Sequence, residues 1–199
     1  RYHAGNDTLI MRDLSREQVV MRLSGDDLEI GIKEEGKAFS GLSDVLTIKN
    51  WRNPNNRIET IRFTDGDITA QNLTGYLTFG DEGQNFTWTE SAADLSLGSG
   101  NDTITTGNYG DTVITGSGAN KVFTAGGNDS IHVSAGASGS IVQGGVGNDS
   151  YSYGRAGGRV SLFDNYSEWD GAGSSFAGVD KRYHAGNDTL IMRDLSREQ

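Results

Sequence analysis

From residue 97 the chain reads LGSGNDTIT (97–105), TGNYGDTVI (106–114), TGSGANKVF (115–123), TAGGNDSIH (124–132), VSAGASGSIV (133–142) and QGGVGNDSYS (143–152). Ile104, Val113, Val122 and Ile131 recur every nine residues, and Ile141 and Tyr151 follow at spacings of ten. Asp102, Asp111, Asn120, Asp129 and Asp149 each stand two residues ahead of an apolar residue, and glycines cluster before them. A short fixed period of this kind marks a stack of identical structural units. The glycine-rich half of each unit is a turn, because Gly tolerates positive φ and close backbone approach. The second half is a short strand that offers one inward side chain.

One inward side chain per repeat is too little to hold a fold by apolar burial, and the composition agrees. The 199 residues include 29 Gly, one Pro and no Cys, and hydrophobic residues make up 34%, against roughly 45–50% in an average globular chain. Asp plus Glu number 27 and Lys plus Arg 17, a net charge of −10. An acidic surface disfavours nonspecific nucleic-acid binding, and the absence of cysteine removes disulfides and thiolate metal sites. No apolar run is long enough to span a bilayer as a helix. What remains is a stack of acidic turns presenting carbonyls and carboxylates. Oxygen-only ligation points to a hard cation, calcium with 6–8 oxygens.

The repeats resemble the repeats-in-toxin (RTX) nonapeptide G-G-x-G-x-D-x-U-x, a calcium-binding parallel β-helix. Gly144-Gly145-Val146-Gly147-Asn148-Asp149 carries every position of the turn half. The resemblance implies an all-β, right-handed parallel β-roll with two nonapeptides per coil, so that alternate turns stack in two columns. One column holds Asp111, Asp129 and Asp149. The other holds Asp102, Asn120 and Ser138. Calcium ions are expected between Asp111 and Asp129 and between Asp129 and Asp149, with a weaker site between Asp102 and Asn120. Gly107, Gly127, Gly145 and Gly147 lend the turns their carbonyls. Asp7, Asp188 and Asp164, in further turn-plus-strand strings, are additional candidate ligands. Thr105, Thr106, Thr115 and Thr124 recur near the same period and raise an ice- or glycan-binding face.

Outside the nonapeptides, Ser15-Arg16-Glu17-Gln18 fits a capping box. Val19–Leu23 and Leu28–Lys33 flank Ser24-Gly25-Asp26-Asp27 as a hairpin, and Val45–Lys49 and Arg57–Phe63 repeat the strand pattern. Trp51 reads as a packing anchor. This stretch is similar to the domain that accompanies RTX arrays in haemolysin-type calcium-binding proteins, which implies a β-hairpin module that continues and caps a roll. The expected organisation is a capping module over 1–70, a β connector over 71–96 with strands at Tyr76–Phe79 and Phe86–Thr89, the roll over 97–166, and over 167–199 a connector and the start of the next repeat. That last element rests on an identity: RYHAGNDTLIMRDLSREQ occupies both 1–18 and 182–199. The chain therefore reads as one 181-residue unit and the start of another, a piece of a longer tandem array.

The string contains no HExxH, GxSxG or phosphate-binding loop, and no cysteine nucleophile, so no enzymatic role is expected. The expected function is that of a structural calcium-binding repeat unit in a large secreted bacterial adhesin or surface filament, exported by type I secretion. Its partners are adjacent copies of the same repeat, with self-association through the duplicated ends. The alternative parent is a pore-forming toxin or secreted enzyme that uses the region for secretion or docking.

Overall fold

The computed structural model describes residues 5–163 and 186–193. The chain divides into two compact units, Arg1–Thr78 and Phe79–Gln199. Among the described residues no helix is long and apolar enough to cross a membrane.

Among the described residues the first unit holds six strands: β1 (Thr8–Ile10), β2 (Val19–Ser24), β3 (Asp27–Ile32), β4 (Val45–Ile48), β5 (Thr60–Phe63) and β6 (Gly66–Thr69). β2, β3 and β4 form an antiparallel meander, while β1 lies parallel to β5 and β6 antiparallel to it. The predicted hairpin closes at Gly25, whose φ of 61° lies in the left-handed region that favours Gly. Alternation along β3 buries Leu28 and Ile30 and leaves Glu29 to pair with Arg22 at 2.7 Å. Ser15 starts a single turn of 3-10 helix, its N–H donating to Gln18 Oε1 at 2.8 Å. Trp51 is the buried anchor: its indole N–H donates to the Ile58 carbonyl at 3.1 Å, and the Arg57 guanidinium lies 4.6 Å from its ring centre. The strand expected at Tyr76–Phe79 does not form. Leu73–Tyr76 is a 3-10 turn, after which Leu77 makes one isolated bridge to Met21.

The second unit is a parallel β-roll. Its strands are β7 (Asn85–Trp88), β8 (Asp94–Ser96), β9 (Thr103–Thr106), β10 (Thr112–Ile114), β11 (Lys121–Phe123), β12 (Ser130–His132), β13 (Ile141–Gln143), β14 (Ser150–Tyr153), β15 (Ser161–Phe163) and β16 (Thr189–Met192). The chain alternates between two 5-stranded sheets, β7-β9-β11-β13-β15 and β8-β10-β12-β14-β16. Register stacks Leu95, Val113, Ile131 and Tyr151 in one row and Phe86, Ile104, Val122 and Val142 in the other. Ile104, Val113, Val122 and Ile131 are each 0% exposed. The core is thus one side chain deep from each sheet, as the nine-residue period requires.

The roll begins earlier than the nonapeptides do. β7 and β8 pair with β9 and β10, so residues 79–96 are its first coil and not a connector. Phe86, Trp88 and Leu95 fill the core positions there, but Gln84 and Ala93 stand where later coils carry Asp, so the period has no acidic marker. At the other end, β16 comes from the second copy of the duplicated segment. The expected ligand Asp164 lies outside the described residues.

Candidate metal centre

Each acidic turn of the roll sits on the turn one coil away, and the residues ahead of the even strands form a hydrogen-bonded column. The Ala93 N–H donates to Asp111 Oδ1 (2.7 Å), Asp111 N–H to Asp129 Oδ1 (2.8 Å), Asp129 N–H to Asp149 Oδ1 (2.9 Å) and Asp149 N–H to Asp188 Oδ1 (2.8 Å). One residue earlier, Asn148 N–H donates to Asn128 Oδ1 and Asn187 N–H to Asn148 Oδ1, both at 2.8 Å. The Asn-Asp pair of the repeat therefore ties coil to coil through one oxygen of each side chain. Sequence reading missed this asparagine ladder, although its signal, the recurring Asn-Asp, was on the page.

The second oxygen of each acid is what the site turns on. Asp129 and Asp149 are each 2% exposed, and the Oδ2 atoms of both, like that of Asp102, are buried without a hydrogen-bond partner. Asp111 Oδ2 differs, since it accepts the Thr106 hydroxyl. An ionised oxygen buried without a partner costs several kcal/mol, and a divalent cation on the turn would supply the missing partner. Among the described residues no three His, Asp or Glu side chains converge on one point. A cation here must therefore take most of its ligands from backbone carbonyls, which suits calcium better than metals that favour nitrogen or sulfur. The glycine turns allow such an approach. Gly127 and Gly147 have φ of 123° and 142°, and a Cβ on either would strike a carbonyl of the coil beneath. Gly107 and Gly145 lie in the same turns, ahead of Asp111 and Asp149.

The other column is built differently. Gln84 N–H donates to Asp102 Oδ1 (2.9 Å), Asp102 N–H to Asn120 Oδ1 (2.8 Å) and Asn120 N–H to Ser140 Oγ (2.9 Å). Ser140, not Ser138, completes it, because the inserted residues lengthen this step from 18 residues to 20. The Asn120 Nδ2 donates to the Thr115 and Ser117 carbonyls at 2.6 and 3.1 Å. An amide thus closes this turn with donors where a cation would need acceptors. Thr106, Thr115 and Thr124 are buried, and Thr124 donates to the Gly144 carbonyl at 2.9 Å. These three face inward, and Thr105, the fourth of the set, is half-buried. Of the outlying candidates, Asp188 joins the acidic column, and Asp7 lies in the first unit with its N–H on Glu59 Oε2 at 2.8 Å.

Without a cation the acidic column favours protons. Burial pushes the Asp129 carboxyl up to about 7, and the neighbouring Asp149 and Asp111 charges push the same way. Burial also raises Asp102, Asp111 and Asp149. A carboxyl whose pKa is higher folded than unfolded stabilises the fold below its unfolded pKa, and that stability is lost as pH climbs through the folded one. For Asp129 alone the loss is roughly 4 kcal/mol. The acids of the first unit act oppositely, but Glu34, held at about 2 by the Lys37 ammonium, stays ionised above pH 5. The calcium-free chain is therefore expected to hold more β-structure at pH 5 than at pH 8, as read by far-UV circular dichroism in chelator. Equal spectra at the two pH values would contradict the burial of these acids.

The fold and the site together define a class: a β-solenoid, consistent with RTX repeats, whose acidic turns suit calcium. Residues 27–68, from β3 into β6, match the family model described as the haemolysin-type calcium binding protein related domain. That match lies within the first unit, and the second unit is the β-roll. Searches of curated proteins and of solved structures give no match.

Proposed function

We propose that this chain is a calcium-folded structural repeat unit of a large secreted bacterial protein, an adhesin or surface filament, and that it performs no catalysis. The observation that carries the reading is the pair of buried, partnerless Oδ2 atoms on Asp129 and Asp149, stacked in one column. Calcium between successive turns of that column, held by Asp111, Asp129, Asp149 and turn carbonyls, converts binding free energy into folding free energy. Sites of the extracellular class bind with Kd of about 10⁻⁴–10⁻³ M. Such a chain stays unfolded where calcium is scarce, as export by type I secretion requires, and folds outside the cell. The 18-residue identity of the two ends, repeated at a spacing of 181 residues, favours a repeated spacer over a single docking element. In an array of such units, length scales with copy number.

The test is far-UV circular dichroism at pH 7.5 during a calcium titration. β signal should rise toward millimolar calcium, and magnesium, which prefers a tight octahedron with retained water, should do little. A roll fully formed in excess chelator would rule the coupling out.

A further inference from the structure

The duplicated segment appears in two settings, and the two differ in a way that fits them together. In the first unit, β1 pairs with β5: the Asp7 carbonyl accepts the Thr60 N–H, and Met11 N–H donates to the Arg62 carbonyl. The ladder therefore turns residues 7, 9 and 11 toward β5. In the second unit the same sequence, as β16, pairs with β14: Thr189 N–H donates to the Asp149 carbonyl and Arg193 N–H to the Tyr153 carbonyl. Thr189, Ile191 and Arg193 correspond to Thr8, Ile10 and Arg12. One setting uses the odd residues of the first copy and the other uses the even ones. Opposite edges of one strand are engaged, and no backbone group is claimed twice.

The side chains agree. Leu190 and Met192 stand in register with Tyr151 and Tyr153 of the roll, yet they are 58% and 48% exposed. They border an apolar hollow lined by Val133, Tyr151, Tyr153 and Val160 at the end of the roll. Their counterparts Leu9 and Met11 are half-buried in the first unit, with Leu9 opposite Ile61 and Ile61 opposite Ile68. Overlaying the two copies gives an unbroken apolar row: Leu95, Val113, Ile131, Tyr151, Leu190, Ile61, Ile68. The acid column continues too, from Asp149 to Asp188 and, through the first copy's Asp7 N–H, to Glu59. Arg193 NH2, 2.7 Å from His132 Nε2, fastens the segment to the roll.

We propose that Gly186–Arg193 is a shared strand, whose free edge and the hollow beside it receive the β5-β6 sheet of a following copy of this chain. One sheet then runs β8-β10-β12-β14-β16-β5-β6 across the repeat boundary, and the roll of one unit is closed by the first unit of the next. The inference rests on the tandem reading above and gives it a joint: on the calcium reading, the last cation position of the column, beside Asp149, is completed by the following repeat's Asp188.

The test is amide hydrogen exchange in millimolar calcium on this chain and on a two-copy chain, residues 1–181 followed directly by 1–199. In the single chain the amides of Thr189, Ile191 and Arg193 should be slow and those of Leu190 and Met192 fast. At the internal junction of the two-copy chain all five should be slow, with Leu190 and Met192 retarded about 100-fold. Persistent alternation at that junction, with Val113 and Ile131 slow, would overturn the shared strand and leave the calcium reading standing. Fast exchange at Val113 and Ile131 themselves would overturn both.

Discussion

Asp129→Ala is expected to abolish calcium-driven folding of the roll at calcium concentrations that fold the parent chain. Asp129 sits mid-column: its Oδ1 accepts the Asp111 N–H, its own N–H reaches Asp149 Oδ1, and its Oδ2 faces the turn without a partner. Alanine strands the buried Asp111 amide, at about 1–3 kcal/mol. It also removes the carboxylate shared by the proposed cation positions on either side. The calcium midpoint should rise by more than about tenfold, since each 1.4 kcal/mol is worth that factor. Asp129→Asn separates the two effects, because an amide keeps the Oδ1 acceptor and loses the charge. It should bind less calcium than the parent while tolerating chelator better, as the Asn120 turn does by closing on its own carbonyls. An Asp129→Asn chain with the parent's calcium stoichiometry would show that the carboxylate is not a ligand.

The second large effect belongs to a glycine. Gly147 has φ of 142°, and a Cβ there would lie well inside contact distance of the Gly127 carbonyl oxygen. That oxygen is backbone in the coil beneath and cannot swing away as a side chain could. Gly147→Ala therefore combines strain at a positive φ with forced separation of two coils, a loss of about 4 kcal/mol. Gly25→Ala, at the exposed hairpin turn of the first unit, meets no atom within 4 Å and should cost about 1 kcal/mol. Urea unfolding of both variants in calcium measures the contrast. Similar losses would show that the coils are not in backbone contact at Gly147.

What could be read from the residues was what the period forces. A nine-residue repeat with one apolar position fixes the inward row, and Ile104, Val113, Val122 and Ile131 occupy it in register. The hairpin at Gly25 was legible because alternation along Leu28, Ile30 and Ile32 flanks a turn sequence. The first coil was not, since Gln84 and Ala93 stand ahead of β7 and β8 at the column positions where later coils carry an acid. The shift from Ser138 to Ser140 was hidden because an insertion can be absorbed on either side of a turn, and only pairing of Ile141 with Lys121 decides. Tyr76–Phe79 has the apolar content of a strand, but its backbone closes on itself, with the Leu77 N–H on the Thr74 carbonyl at 3.3 Å. The site shows the same split. Stacked acids follow from the spacing, whereas the division of labour between Oδ1 and Oδ2 depends on which amide lies above.

On the proposed function, divalent metal, more than apolar packing, is the glue of the acidic column, and diffraction from crystals grown in millimolar calcium tests that most directly. Anomalous difference maps should show calcium beside the Oδ2 atoms of Asp129 and Asp149, and none in the turn that the Asn120 amide closes. A folded roll with no density beside Asp129 and Asp149 would contradict it.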